Sequence, residues 1–163
     1  MKLIKLKMAA FGPYGGEEEI NFLNFYGQSL FLITGNTGAG KTTIFDAICF
    51  ALYGSVCGQK KEAKTLRSMF AKPQQLCFVE FEFESNGKTY KIRREPEQLV
   101  LKAGGEGFKQ KKHSAQLFMP DGQVKTNLKE ISSLIVNSLV GFDRASFNKV
   151  AMLPQGQFQK HLS

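Results

Sequence analysis

"SLFLITGNTGAGKTTIFDAICFALYG", residues 29–54, decides the fold of this chain. Residues 29–35 are a short continuous apolar run closed by Gly35, the pattern of a strand buried on both faces. The stretch "KTTIFDAICFALYG" is apolar on nearly every side and stops at Gly54, which predicts a buried helix with a glycine C-cap. Between them "GNTGAGKT", 35–42, satisfies G-x-x-x-x-G-K-[ST] at every fixed position, the phosphate-loop pattern in its expected strand–loop–helix context. A glycine-rich turn matching by coincidence would not bring strand and helix into register on either side.

The residue types follow from what a polyphosphate demands. Gly35, Gly38 and Gly40 let the backbone curl so that the N–H groups of 36–43 converge on phosphate oxygens. Asn36, Thr37 and Ala39 complete that cradle. The helix N-terminus adds about half a positive charge. Lys41 brings a full charge to the β/γ-phosphates, the Thr42 hydroxyl is a ligand for Mg²⁺, and Thr43 can donate to the α-phosphate. The motif implies a nucleoside triphosphate site, with ATP and Mg²⁺ as cofactors.

A length of 163 residues suits one domain. The net charge of +8 and pI near 9.4 suggest a polyanionic partner, unless the balancing acids lie on a companion segment. Cys49, Cys57 and Cys77 are odd in number and lack metal-ligand spacing, so they read as reduced thiols. Lys2, Lys5 and Lys7 break up the apolar N-terminus, and no apolar stretch approaches the ~20 residues needed to cross a bilayer. The expectation is a cytoplasmic protein with no membrane partner.

Elsewhere, "KLIKLKM" and "EEEINF" read as strands around the Gly-rich turn at 12–16. In "CFVEFEFESNGKTYKIRRE", 77–95, apolar residues alternate with Glu80, Glu82 and Glu84. Asn86-Gly87 is a type I′ hairpin turn. Counting outward from it sets Glu82 opposite Lys91, Glu80 opposite Arg93 and Phe83 opposite Tyr90. Such charge pairs stabilise a sheet by about 0.2–1 kcal/mol each; a DNA contact is the competing use of Lys91 and Arg93. "LVLKAGGEGFKQKKHSAQLFM" reads as two strands joined by a Gly-rich basic loop. Its "KQKKH", 109–113, is either a DNA contact or a solvated hairpin tip. "NLKEISSLIVNSLVGF" is an amphipathic helix with Leu128, Ile131, Leu134, Ile135 and Leu139 at helical spacing, ended by Gly141. "SFNKVAML" reads as a final strand, with Gln155 just beyond it. Together these elements predict an α/β P-loop NTPase fold with a mixed or antiparallel sheet and a buried helix after the phosphate loop.

A hydrolase site also needs an acidic residue at the end of an apolar strand and a group that positions water. The only apolar run ending in Asp is "SLVGFD", to Asp143, and Gly141 interrupts it within a helical pattern. The chain thus carries the phosphate-binding half of a site without an evident catalytic acid.

"ITGNTGAGKTTIFDAICFALYG", with "AFGPY" at 10–14 and "MLPQGQF" at 152–158, resembles the N-terminal segment of the SbcC family, the bacterial ATPases of SbcCD-type DNA-repair nucleases. The likeness covers essentially all 163 residues, and these three blocks are its specific part. It implies an ABC-ATPase head lobe: residues 1–163 would be the N-terminal half of a split head, with the phosphate loop at 35–43 and a Gln loop at 153–158. A coiled coil and a C-terminal half carrying the signature, acidic and switch residues would lie outside the segment. By the resemblance, Asn36, Gly38, Gly40, Lys41, Thr42 and Thr43 match the phosphate contacts. Gln155 matches the glutamine that reaches Mg²⁺ and the attacking water, with Gln157 the competing choice. Lys41 and Gln155 are then the catalytic candidates. Arg67, near Lys60, Lys61 and Lys64, is a basic-loop candidate for nucleotide or DNA, with a solvated face as its alternative. The implied partners are the C-terminal half of the same polypeptide, a second head, an SbcD-like nuclease and double-stranded DNA. The implied function is ATP-driven head dimerisation controlling access of DNA ends or hairpins to the nuclease, and the segment alone is expected to be inactive. An SMC-type DNA-tethering ATPase without a nuclease is the alternative. An ABC transporter ATPase and a small nucleoside kinase fit less of the pattern.

Overall fold

A computed structural model describes residues 1–27, 33–57, 66–102 and 104–151. Its strands are β1 (Lys2–Ala9), β2 (Glu17–Asn21), β3 (Phe78–Ser85), β4 (Lys88–Glu95), β5 (Gln98–Leu101), β6 (Phe108–Lys111), β7 (Ser114–Phe118) and β8 (Val124–Lys125). Six of them form one antiparallel sheet in the order β2-β1-β3-β4-β7-β8, and β5 pairs with β6 in a separate hairpin. The described helices are α1 (Lys41–Tyr53), α2 (Leu128–Leu134), which runs on into a π-turn at Ile135–Leu139, and α3 (Arg144–Ala151). A short 3-10 turn at Phe22–Phe25 follows β2.

Strand alternation sorts the sheet into two faces. Leu6, Met8, Val79, Phe81, Phe83, Ile92 and Leu117 point inward and are fully buried. α1 packs over this face through Ile44, Ala47, Ile48, Ala51 and Leu52, so the helix that leaves the phosphate loop is itself part of the core. α2 and its π-turn close the other end with Ile131, Ile135 and Leu139, and Ser85 Oγ donates to Leu139 O at 2.6 Å.

On the outer face, carboxylates and cations alternate across the strands. The register sets Glu19, Lys7, Glu80 and Arg93 in one row and Lys5, Glu82 and Lys91 in the next. The β3–β4 pairs are those counted from the Asn86-Gly87 turn, whose φ values of 50° and 70° suit type I′. Lys7–Glu17 at 2.7 Å, Lys5–Glu19 at 2.9 Å and Arg93–Glu80 at 2.6 Å neutralise the face locally. Arg93 also lies over the Phe78 ring and Lys91 over Phe118, so both are engaged in the sheet.

Two expectations are corrected. Residues 144–151 form α3, where the sequence suggests a strand. Asp143 decides this: its carboxylate accepts from Ser146 N at 2.7 Å and its carbonyl from Phe147 N at 2.9 Å, which starts a helical turn. Arg144, Phe147 and Asn148, at helical spacing, then meet Val56 O, the Tyr53 ring and Cys49 Sγ. The carboxylate that ends the "SLVGFD" run is this helix cap, and Ser146 holds its pKa below the usual carboxylate value. The run "KQK" at 109–111 is strand β6 rather than a hairpin tip, because the glycine tip at 104–107 lets Leu101 pair with Phe108. The region holds three strands where two are expected. Most of the expected strand at 29–35, the Gln loop with Gln155 and Gln157, and Lys60, Lys61 and Lys64 lie outside the described residues.

Candidate nucleotide site

The loop that enters α1 has the backbone an anion cradle requires. Gly38 and Gly40 have φ of 85° and 88°, conformations that L side chains rarely adopt. Asn36 and Ala39 close a turn, with Ala39 N donating to Asn36 O at 3.1 Å. Gly40 is the N-cap of α1 and, having no side chain, supplies no cap, so the positive end of the helix meets an exposed loop. No acidic residue sits in the first turn to compete with an anion.

Lys41 arches back over this loop. Its ammonium donates to Gly35 O at 2.6 Å and to Asn36 O at 2.8 Å, which ties the first residue of α1 to the start of the cradle. Asn36, Thr37, Gly38, Ala39 and Thr42 are exposed, and Gly40, Lys41 and Thr43 are half-buried. The chain therefore presents one face of residues 36–43 with glycine conformations, a cation and two threonine hydroxyls.

A second segment braces the cradle from behind. Phe11 is buried against Phe50 of α1, with ring centroids 5.7 Å apart. The chain at 10–12 is held by Gly12 N to Leu66 O at 2.9 Å and Ser68 N to Ala10 O at 2.7 Å. Beyond this anchor a Cβ on Gly12 would stand 2.8 Å from Thr43 Cγ2. Tyr14 Oη lies 3.2 Å from Gly40 O and 3.4 Å from Ala39 O. "AFGPY" and the phosphate loop, distant in sequence, are one structural unit.

Arg67 belongs to the same strap but faces elsewhere. It bridges Phe11, and its guanidinium donates to Lys72 O at 2.8 Å, Gln75 O at 3.2 Å and Ser68 O at 3.4 Å. It also lines a groove of about 690 Å³ with Leu99, Phe108 and Gln110 of the β5–β6 hairpin. Its donors are thus spent on its own loop.

The far end of α1 carries a residue that the sequence reading does not single out. Arg94 is 1% exposed on the inner face of the sheet. Its Nε donates to Ala51 O at 2.9 Å and its Nη2 to Leu52 O at 3.2 Å, so a cation caps the negative end of the helix. Burial lowers its pKa from 12.5 to about 10, and it remains charged at neutral pH. Nη1 is 3.4 Å from His113 Nε2, and burial followed by the Arg94 charge lowers the histidine's pKa below its ordinary value. Gly54 makes room for both: a Cβ there would lie 3.0 Å from Arg94 Nη1. The available signal is a charged residue in phase with inward-facing Tyr90 and Ile92.

The three cysteines are buried free thiols. Burial raises Cys77 to about 12, and a hydrogen bond with Cys57 followed by burial raises Cys49, so neither is poised as a thiolate. Among the described residues no helix is long and apolar enough to cross a membrane, and no cluster of His, Cys, Asp and Glu could hold a metal ion.

A family model described as an AAA domain matches residues 5–163. The chain belongs to that AAA-domain family. Within it the chain matches, over its whole length, the SbcC component of the nuclease SbcCD. The Vibrio cholerae protein is 43% identical over 166 residues, covering 100% of this chain and 16% of the relative. Those of Lactococcus lactis and Staphylococcus aureus are each 36% identical, covering 99% of this chain and again 16% of the relative. This chain thus spans 16% of the length of these curated relatives. Among solved structures it is similar to the SMC head domain from Thermotoga maritima, with 27% identity, a TM-score of 0.45, and coverage of 80% of this chain and 41% of that one. The fold expected from the sequence, an antiparallel sheet backed by a buried helix after a phosphate loop, is the observed one for this AAA-domain chain.

Proposed function

We propose that residues 1–163 form the N-terminal half of a split, ABC-type ATPase head in an SbcC-like DNA-repair protein. The observation that carries this reading is the cradle itself: glycine conformations at 38 and 40, an uncapped α1 N-terminus and Lys41 arched over the loop. The amides of 36–43 bind the polyphosphate of ATP, and Lys41 exchanges its carbonyl partners for phosphate oxygens. Thr42 and Gln155 hold Mg²⁺, which when bound neutralises charge on the phosphates. Thr43 supports the α-phosphate. Arg67 serves the site only if its loop rearranges, since its donors already hold three carbonyls.

The described residues supply binding and orientation, so the acid that completes hydrolysis comes from the rest of the polypeptide. Head dimerisation, an SbcD-like nuclease and double-stranded DNA follow from the likeness to the SbcC component of the nuclease SbcCD. The basic balance of +8 supports a polyanionic partner. Full-length protein should hydrolyse ATP with Mg²⁺ and co-purify with a metal-dependent nuclease, while residues 1–163 alone turn over little. Robust turnover by the isolated segment would contradict the split site, and a complex without nuclease would favour a tethering ATPase.

A further inference from the structure

We infer that Tyr14 is a positioning residue of the nucleotide site, a strut whose hydroxyl orients the backbone amides of Gly40 and Lys41 toward bound phosphate. This rests on the nucleotide reading above and adds a residue that the phosphate-loop motif does not contain.

The geometry is that of a latch on the outside of the loop. Tyr14 Oη shares its proton between Gly40 O at 3.2 Å and Ala39 O at 3.4 Å. None of the described peptide bonds is cis, so each carbonyl points opposite the N–H of the next residue. Holding the Ala39 and Gly40 carbonyls toward Tyr14 therefore turns the Gly40 and Lys41 amides to the opposite side. Gly40 O also accepts from Thr43 N at 2.9 Å, which fixes it from a second direction.

The ring is seated directly on the loop. A Cβ at Gly40 would lie 2.6 Å from Tyr14 Oη, 2.8 Å from its Cζ and 3.0 Å from Pro13 Cγ. The strut has a firm base, because Tyr14 N donates to Phe11 O at 3.1 Å and Phe11 is buried in the core. Burial raises the phenol above its ordinary value of 10, so the hydroxyl donates throughout the neutral range. Without it, a loop rich in glycine would order its amides only when ligand arrives, and that entropy would be lost from affinity.

The test uses full-length protein and compares Tyr14→Phe, Tyr14→Ala and Lys41→Ala by competition binding of ATP, ADP and pyrophosphate. Tyr14→Phe removes one hydrogen bond and keeps the ring. It should weaken all three ligands by a similar factor, about 2- to 13-fold for one such bond, with the melting temperature of nucleotide-free protein unchanged. Wild-type affinity in Tyr14→Phe, with loss only in Tyr14→Ala, overturns the latch in favour of ring packing. Loss for ATP and ADP but not pyrophosphate overturns it in favour of a contact to the base. Loss matched by a lower melting temperature makes the residue merely structural and also overturns it. Lys41→Ala separates the two levels: if it binds ATP like wild type, the nucleotide reading itself fails, whereas if it alone loses ATP, only the strut fails.

Discussion

Replacing Arg94 by Met tests whether the phosphate-loop helix is held from its far end. The side chain makes two charge-assisted hydrogen bonds, to Ala51 O and Leu52 O, each contributing about 1.5–3 kcal/mol. Their loss would cost about 3–6 kcal/mol. Against this stands relief from burying a guanidinium: a pKa lowered from 12.5 to about 10 corresponds to about 3 kcal/mol at 1.36 kcal/mol per tenfold in proton affinity. The balance is about 0–3 kcal/mol, and it falls in the upper part because both carbonyls are buried and lose the guanidinium as donor. For a domain of this size, 1–3 kcal/mol lowers the melting temperature by about 2–4 °C per kcal/mol, read by scanning calorimetry of full-length protein. Arg94→Lys should not restore it, since one ammonium cannot reproduce the fork. A melting temperature within about 1 °C of wild type in Arg94→Met, or full recovery in Arg94→Lys, would refute the reasoning.

Further outcomes follow from neighbouring features. Gly40→Ala places a Cβ at φ 88° and 2.6 Å from Tyr14 Oη, so strain of about 1–2 kcal/mol plus displacement of the tyrosine should lower ATP affinity at least about tenfold, measured by titration calorimetry. His113 has a pKa depressed below 6.5 by burial and by Arg94, so the unfolded chain takes up a proton first as pH falls. Stability is therefore complete above 6.5 and declines as pH drops through that value toward the lower folded pKa. His113→Gln should flatten that decline in denaturant midpoints measured from about pH 7.5 to 5, and an unchanged slope would assign it to other groups.

Much of this architecture is legible in the residues because local rules and tertiary packing agree. The Asn86-Gly87 turn sets the whole β3–β4 register, and the Glu80–Arg93 ion pair counted from it is present. α1 is equally clear, since its apolar surface and Gly54 stop match a buried helix capped in the αL conformation. The departures arise where a single side chain outweighs pattern. Residues 146–153 alternate enough to suggest a strand, yet the Asp143 cap and the Tyr53–Phe147 contact commit 144–151 to a helix. The run at 109–113 reads as a basic loop because its charges hide a strand paired edge to edge with β5. Arg94 is invisible to pattern because burial of a cation is offset only by carbonyls that tertiary structure brings to it. The cradle residues can be named from the motif, but the role of "AFGPY" in bracing them is a contact between distant segments that no spacing rule reveals.

The central claim is that residues 35–43 bind a nucleoside triphosphate through Lys41 and the loop amides. The most direct measurement is the equilibrium affinity of full-length protein for ATP, wild type against Lys41→Ala, with folding of the variant checked by circular dichroism. Loss of a charge-assisted contact to phosphate oxygens predicts a fall of at least about 100-fold, on the order of 3 kcal/mol, in a variant that remains folded. A folded Lys41→Ala protein that binds ATP within about twofold of wild type would contradict the account.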